Sequence, residues 1–245
     1  SGLLTIHDRT NDTDTANWDI VANGGFTQAG AGTVNLSGDI SAPGNNIAFA
    51  AAPHLFGHVA LSTGDGGGSI EFNHAVAAVT RDGTTRNLML TAGTGNIIVP
   101  GSIGIAGRPL GLVQIDSAAN VAGDAAGITS TGAIYAGSLD QNAGTVVSRF
   151  GAITVGTTVD IDVSTADVFI TGTVSAPGGF SSTGSTFNNT GGTITTTDTD
   201  ITINHTGAIT IGAALLANGT GDIDIDSTGS TIGIGATVTT STGTI

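Results

Sequence analysis

Three aspartates alternate with isoleucines in the stretch Asp222-Ile223-Asp224-Ile225-Asp226. Successive side chains of a β-strand point to opposite faces, so the three carboxylates are predicted to face solvent, about 7 Å from one to the next. Calcium takes several oxygen ligands and could bridge neighbouring carboxylates of this kind. The alternative, which we favour, is an acidic solvated face that keeps the protein soluble. The same spacing returns at Asp160 with Asp162 and at Asp198 with Asp200.

Histidine and glutamate offer a second kind of chemistry in two places. Glu71 precedes His74 by three residues, but it lies between two apolar residues and is predicted to point out of the fold while they point in. His54 and His58 lie in a predicted loop, 52–58, and supply two nitrogen ligands, whereas a zinc site needs at least a third placed ligand. We therefore predict no catalytic residue, no metal site and no cofactor.

The composition excludes several classes of function. The chain of 245 residues has no cysteine, which excludes disulfides, thiolate metal sites and cysteine nucleophiles. Its net charge is −14 and it has no lysine, so a nucleic-acid partner is excluded because phosphate binding requires clustered cations. A polysaccharide-degrading enzyme needs clustered carboxylates and, in lyases, a base. The basic residues are scattered along the sequence, at Arg9, Arg81, Arg86, Arg108 and Arg149.

Two further motifs leave alternatives open. The stretch 64–70, GDGGGSI, is one imperfect copy of the calcium-binding repeat of β-rolls, which needs consecutive turns to form a site. The glycosylation acceptor pattern occurs five times, and buried asparagine stacks along the corners of a repeat fold are the alternative. The asparagines concerned are Asn11, Asn35, Asn188, Asn204 and Asn218.

Branched apolar residues that recur at near-constant intervals must position all of these side chains. Three successive members of the series make one repeat, so that every third member, such as Ile201 and then Ile223, occupies an equivalent place. Each member belongs to a short strand-like segment in which Ile or Val alternates with Thr, Asp or Gly. The period of about 22 residues is typical of a solenoid. The members from residue 194 onward are Ile194, Ile201, Ile209, Leu216, Ile223, Ile232, Val238 and Ile245.

The same pattern extends towards the N-terminus with larger repeats. Ile70 aligns with Ile97, and Leu88 aligns with Val113, so each repeat here is enlarged by a corner loop. Proline and glycine break a strand ladder, so clusters such as 52–58 are predicted corner loops. Further strand positions are predicted at Val76, Val79, Val121, Ile128, Ile134, Leu139, Val146, Ile153, Ile161, Val168, Val174, Phe180 and Phe187.

The repeat predicts an all-β fold, a parallel β-helix (β-solenoid) with three strands per coil and about ten coils, roughly 50 Å long. Residues 25–245 are predicted to form this single domain. Residues 1–24 do not fit the pattern and are predicted to cap the first coil or to donate a strand to a neighbouring molecule. No apolar run is long enough to span a bilayer as a helix. Because the chain does not start with methionine, we expect a mature or excised product.

The stretch from Asn87 to Val99, with Gly101-Ser102-Ile103-Gly104 after it, resembles the repeats of giant bacterial surface proteins of the filamentous haemagglutinin and autotransporter adhesin type. The same kind of repeat pattern covers residues 26–245. The resemblance implies a right-handed β-helix that serves as a stalk, an adhesin or a surface fibre.

We therefore predict an extracellular, cell-surface structural protein that is not an enzyme. Its coils would form a fibre, stalk or sheath, and its partner would be itself in a head-to-tail homopolymer, because residues 239–245 stop within the repeat pattern. The alternative is an adhesin or a carbohydrate-binding or carbohydrate-degrading module with cell-surface glycans as partners. Such a module should present a groove lined by aromatics and carboxylates, but aromatic residues make up only 4% of the chain.

Overall fold

The structure, a computed structural model, describes residues 4–6, 19–73 and 78–245. Every regular element in these ranges is a β-strand, and the strands pair in parallel as coils stacked along one axis. Three strands form each coil and about ten coils are stacked, which confirms the predicted β-solenoid and is consistent with a right-handed parallel β-helix. The described residues contain no helix that is long and apolar enough to cross a bilayer.

The strands form three faces, and they are numbered here in chain order. Face 1 contains β1 (Leu4–Ile6), β4 (Val34–Leu36), β7 (Pro53–Leu55), β10 (Ala78–Arg81), β13 (Ser102–Ile103), the first part of β16 (Ile134–Gln141), β18 (Ile153–Val155), β21 (Val174–Ser175), β24 (Ile194–Thr197), β27 (Leu215–Asn218) and β30 (Val238–Thr240).

Face 2 contains β2 (Ile20–Val21), β5 (Ile40–Ser41), β8 (Val59–Ser62), β11 (Leu88–Thr91), β14 (Leu110–Ser117), the second part of β16, β19 (Val159–Asp162), β22 (Phe180–Gly184), β25 (Ile201–His205) and β28 (Ile223–Ser227). Face 3 contains β3 (Phe26–Gln28), β6 (Ile47–Phe49), β9 (Ile70–Phe72), β12 (Ile97–Ile98), β15 (Asn120–Ala122), β17 (Val147–Phe150), β20 (Asp167–Ile170), β23 (Phe187–Asn188), β26 (Ile209–Ile211) and β29 (Ile232–Ile234).

The core consists of side chains that point inward from successive coils and stack in columns. Ile201 and Ile203 of β25 are fully buried, while Thr202 between them faces outward, as a strand with one buried face requires. On face 3, β3, β6 and β9 each contribute a phenylalanine, and the rings of Phe49 and Phe72 stack with centroids 5.8 Å apart. Each coil therefore buries its apolar residues only against its neighbours.

Polar side chains hold the corner between face 1 and face 2. Asp39 Oδ1 accepts the N–H of Ala60 in the next coil at 2.6 Å. Near the other end, Asp200 Oδ1 accepts the N–H of Asp222 at 2.8 Å, and Asp222 Oδ1 accepts the N–H of Thr244. We call this series the corner ladder. It satisfies backbone donors that the turn removes from the strand ladder.

Close contact between coils explains some of the many glycines at the corners. A Cβ on Gly95 would lie 1.9 Å from the carbonyl oxygen of Gly68, and a Cβ on Gly192 would lie 1.8 Å from that of Gly172. No side chain fits at either position without displacing the backbone of the neighbouring coil.

The register confirms the longer alignments and corrects several positions. Ile70 pairs with Ile97, Leu88 with Val113, and Ile209 with Ile232, as predicted. The prediction of Leu216 as an inward-facing position is wrong. The inward position belongs to Leu215, which pairs with Ile194 and is fully buried. The other corrected positions are Ile128 and Val146, which are exposed, and Pro53, which lies in a strand and not in a loop.

Some predictions fall wholly or partly outside the described residues. These are most of the predicted cap or donor strand before residue 19, and the segment with His74 and Val76. Within the described part, Leu4 of β1 pairs with Val34 of β4 in the same chain, and Ile20 of β2 pairs with Ile40 of β5. The division of the chain at residues 24 and 25 stays a prediction.

Candidate functional site

The aspartates of the stretch 222–226 lie where the alternation predicts. Asp222, Asp224 and Asp226 are exposed, while Ile223 between them is buried. Asp222 already accepts a backbone N–H in the corner ladder. In the described ranges no three His, Asp or Glu side chains come close enough together to hold a metal ion. The three carboxylates form a row that faces solvent.

Asp160, Asp198 and Asp200 come together around an open groove of about 480 Å³. Asp200 belongs to the corner ladder. Asp198 extends the ladder, because its Oδ1 accepts the N–H of Thr220 at 3.2 Å. Phe180 also borders the groove, but it is only 2% exposed and offers no ring face for a sugar to stack on. The groove combines carboxylates with backbone, without the aromatic platform that a carbohydrate module should present.

The two histidines of the predicted metal pair do not share a site. His54 lies in β7, and its Nδ1 is 2.7 Å from the hydroxyl of Thr80 in the next coil. His58 lies at the following corner, where its Nδ1 accepts the N–H of Asn87 at 3.1 Å. Burial lowers the pKa of His54, and the guanidinium of Arg108 lowers it further, against a smaller opposing effect of a nearby carboxylate. Both rings therefore serve contacts between coils.

Glu71 points outward between two buried neighbours, as predicted. Its carboxylate accepts hydrogen bonds from the side-chain amides of Asn46, at 3.0 Å, and Asn73, at 3.1 Å. His74, its suggested partner, lies outside the described residues. The described surroundings of Glu71 contain amides and no acid–base partner.

The acceptor asparagines differ in accessibility. Asn204 and Asn218 are exposed, Asn35 and Asn188 are half-buried, and Asn11 lies outside the described residues. The alternative to glycosylation was a buried asparagine at a corner of the coil. The structure has one, but it is Asn189 and not its neighbour Asn188, the predicted acceptor. Its Nδ2 donates to the carbonyl of Ala213 at 2.9 Å, and its Oδ1 accepts the N–H of Gly212 at 3.1 Å.

Three of the five arginines lie together, although they are well separated in the sequence. We call Arg81, Arg86 and Arg108 the arginine corner; they lie where two successive coils enter face 2. Arg86 donates two hydrogen bonds to Asp82, with 2.7 Å between Nη2 and Oδ2. Arg81 donates to the carbonyls of Pro109 and Asp82, and Arg108 donates to the carbonyl of Arg81. The backbone thus holds two cations against each other.

Carboxylates of three successive coils lie close together on face 2. Asp140 pairs directly with Asp160 of the next coil, and Asp116 lies on β14, one coil before Asp140. We call these three residues the acidic cluster. Partial burial raises the pKa of Asp140, and the negative charges of Asp160 and Asp116 raise it further. Like charges one coil apart therefore repel each other here.

A buried polar pair lies inside the solenoid. His205 and Ser182 are both fully buried and belong to neighbouring coils of face 2, with 3.0 Å between Nε2 and Oγ. The other ring nitrogen, Nδ1, has no hydrogen-bond partner, and the ring packs against Phe187 with centroids 5.4 Å apart. Sequence reasoning missed this pair, although its two members are separated by one coil in the sequence. It has no access to solvent and so cannot act on a substrate.

Comparison of the chain with protein-family models, with curated proteins and with solved structures gives no match.

Proposed function

We propose that the protein is an extracellular structural subunit of a surface fibre, stalk or sheath, in which copies stack end to end. The observation that carries the proposal is an apolar edge on the coil that contains β29, on which a further coil can stack. Ile232 and Ile234 of β29 are 41% and 55% exposed, whereas Ile209, which pairs with Ile232 in the coil before, is 1% exposed. The isoleucine column that is buried in the preceding coil thus continues to this edge, where a further coil can bury it.

Strand geometry explains why this edge favours another solenoid coil. β28, β29 and β30 each pair on one side only, so their other sides present N–H and C=O groups in the spacing of a parallel ladder. A second coil satisfies these groups and buries the isoleucines at once. Such a contact joins two different ends, and it therefore continues into a fibre unless the rotation closes a ring.

The remaining features support a structural role. Most of the polar side chains that could do chemistry are engaged in contacts between coils, as His58 and Glu71 show. A strongly acidic composition keeps such a rod soluble by charge, and stacked ladders stabilise it without any cysteine. β1 pairs with β4 of its own chain, so we propose stacking of coils and not donation of that strand.

Electron microscopy and sedimentation velocity of the purified protein test this proposal. We expect concentration-dependent rods longer than the roughly 50 Å of ten coils. Ile234→Asp should abolish the elongation, because a carboxylate at the edge resists burial. Ile128→Asp is the matched control, since Ile128 is 74% exposed on a side loop that Asp124 holds by hydrogen bonds from three backbone N–H groups.

The control variant should elongate like the wild type. Wild-type protein that stays monomeric at high concentration would overturn the proposal, and so would equal elongation of all three proteins. Because Ile234→Asp can also loosen the last coil, Ile232→Thr provides a milder variant that keeps a β-branched residue and should weaken elongation in part.

A further inference from the structure

The arginine corner concentrates positive charge on a strongly acidic molecule. Three guanidiniums lie there, and the carboxylate of Asp82 pairs with one of them, that of Arg86, at 2.7 Å. In the part of the chain that the structure describes, neither Arg81 nor Arg108 forms an ion pair with a carboxylate. Both of these charges therefore lack a carboxylate partner there, on a chain whose net charge is −14.

Arg81 and Arg108 also keep hydrogen-bond donors for a further acceptor. A guanidinium carries several N–H donors in a fixed planar arrangement. Arg81 uses two of its donors on the carbonyls of Pro109 and Asp82, and Arg108 uses one of its donors on the carbonyl of Arg81. These contacts with the backbone hold the two guanidiniums in place, and Arg108 is exposed to solvent. An oxyanion that binds here therefore meets donors whose positions are already fixed.

An exposed aromatic ring adjoins the arginine corner. Phe56 is 44% exposed, and its ring meets the ring of His54 edge to face, with centroids 4.9 Å apart. Burial and then the nearby guanidinium of Arg108 lower the pKa of His54, so the imidazole lies within reach of that charge. The N–H of Asp82 donates to the carbonyl of Leu55, which places Phe56 next to the segment that carries the arginines. The phenyl ring, the imidazole and the cations thus form one continuous surface beyond the ends of β7 and β10.

We propose that this surface binds an acidic sugar, with its sulfate or carboxylate group on Arg81 and Arg108 and its ring against Phe56. Guanidiniums bind the oxygens of both kinds of anion through charge-assisted hydrogen bonds. The exposed phenyl ring supplies the apolar face on which the C–H groups of a sugar ring pack. The net charge of −14 repels a dense polyanion, which favours a sugar with isolated acidic groups over a nucleic acid. The site lies several coils from β29 and does not depend on end-to-end stacking.

Nuclear magnetic resonance titration of the full chain measures this binding, with Ile234→Asp included so that elongation does not broaden the signals. The probes are glucose 6-sulfate, glucuronate, uncharged glucose and inorganic sulfate. Both acidic sugars should shift the ring signals of Phe56 and His54, and the tighter of the two identifies the preferred anionic group. A bound anion offsets the charge of Arg108, so it should raise the pKa of His54 and leave that of the buried His205 unchanged. Binding should weaken at about 1 M salt, where the Debye length falls to roughly 3 Å.

Substitutions then separate the anion contact from the ring contact. Arg108→Gln and Arg81→Gln should each weaken the binding of both acidic sugars roughly tenfold, because each removes charge-assisted hydrogen bonds. Phe56→Ala should weaken the binding of the acidic sugars and leave that of inorganic sulfate unchanged. Arg149→Gln is the matched control, since Arg149 lies on face 3 with its guanidinium 3.9 Å from the centre of the Phe169 ring, which it already covers. This control should bind both sugars at wild-type strength.

Several outcomes would overturn the proposal. One is the absence of binding by either acidic sugar, and another is equal binding of glucose and the acidic sugars. Wild-type affinity of Arg108→Gln would also refute it, and this exposed position keeps the test valid if Arg81→Gln loses its β-sheet circular dichroism. Sugars that bind no tighter than inorganic sulfate, with no effect of Phe56→Ala, would reduce the corner to a site for small anions and refute sugar binding. Each of these results leaves the elongation assay, and thus the proposed stacking, unaffected.

Discussion

Acidification should destabilise the solenoid through His205. This imidazole is fully buried, and desolvation lowers its pKa from 6.5 to about 4, although the carboxylate of Asp167 and the nearby carbonyl of Ser185 oppose the shift. The imidazole is therefore protonated below about pH 6.5 in the unfolded chain, but only below about pH 4 in the folded chain. Stability is complete above the unfolded pKa and is lost as the pH falls towards the folded one.

The size of the effect follows from the two pKa values. Each unit of difference corresponds to about 1.4 kcal/mol, which gives roughly 3 kcal/mol below pH 4. Between pH 7 and pH 5 the loss is about 2 kcal/mol. That is a large part of the stability of a typical domain.

Chemical denaturation at closely spaced pH values measures this loss. His205→Gln keeps a polar side chain next to Ser182 and removes the titration, so its unfolding free energy should change much less between pH 7 and pH 5 than that of the wild type. Nuclear magnetic resonance titration of the ring should show no protonation above about pH 5. An equal loss of stability in both proteins would refute the argument and assign the acid sensitivity to other groups.

Three further outcomes test the architecture. Ile209→Ala should lower the free energy of unfolding by about 2–5 kcal/mol because it leaves a buried cavity. Ile232→Ala in the same column should lower it by less than half of that in dilute protein. Equal losses in chemical denaturation would show that the edge is covered. Asp39→Ala should cost about 1–3 kcal/mol and speed the amide exchange of Ala60, which loses a buried acceptor. Asp224→Asn should change stability by less than about 0.5 kcal/mol. A calcium-dependent rise in melting temperature that this variant abolishes would contradict a solvated face.

Apolar periodicity was sufficient to predict the coil number and most of the register, since only one face of each strand is buried and a shift of one residue would expose it. It failed where two adjacent residues were both apolar and where a polar residue took the inward position. Leu215 and Leu216 satisfy the same spacing, and only the pairing with the neighbouring coil decides which one turns inward. Near Val146 the inward position belongs to Ser148, which is buried and pairs with Val121 and Val168.

Corner contacts were harder to predict because they depend on which residues meet after the chain has turned. Pro53 suggested a loop, yet it lies in a strand of face 1 that pairs with both neighbouring coils. Arg81 and Arg108 were read as scattered because about one enlarged coil separates them in the sequence. Phe49 and Phe72 are separated by one coil in the sequence, and so are Ser182 and His205, so a period counted over polar and aromatic residues also indicates both pairs.

The corner ladder makes the length of the protein adjustable in whole coils. Asp200 and Asp222 occupy equivalent places in successive coils, and each accepts the N–H that follows it one coil later. Removal of one such unit brings Asp222 to the place of Asp200 and stacks Ile223 on Phe180, where Ile201 now lies. Duplication has the same property in reverse. Unequal recombination within the gene can therefore lengthen or shorten this molecule, because the new junction between coils has the same contacts as the existing ones.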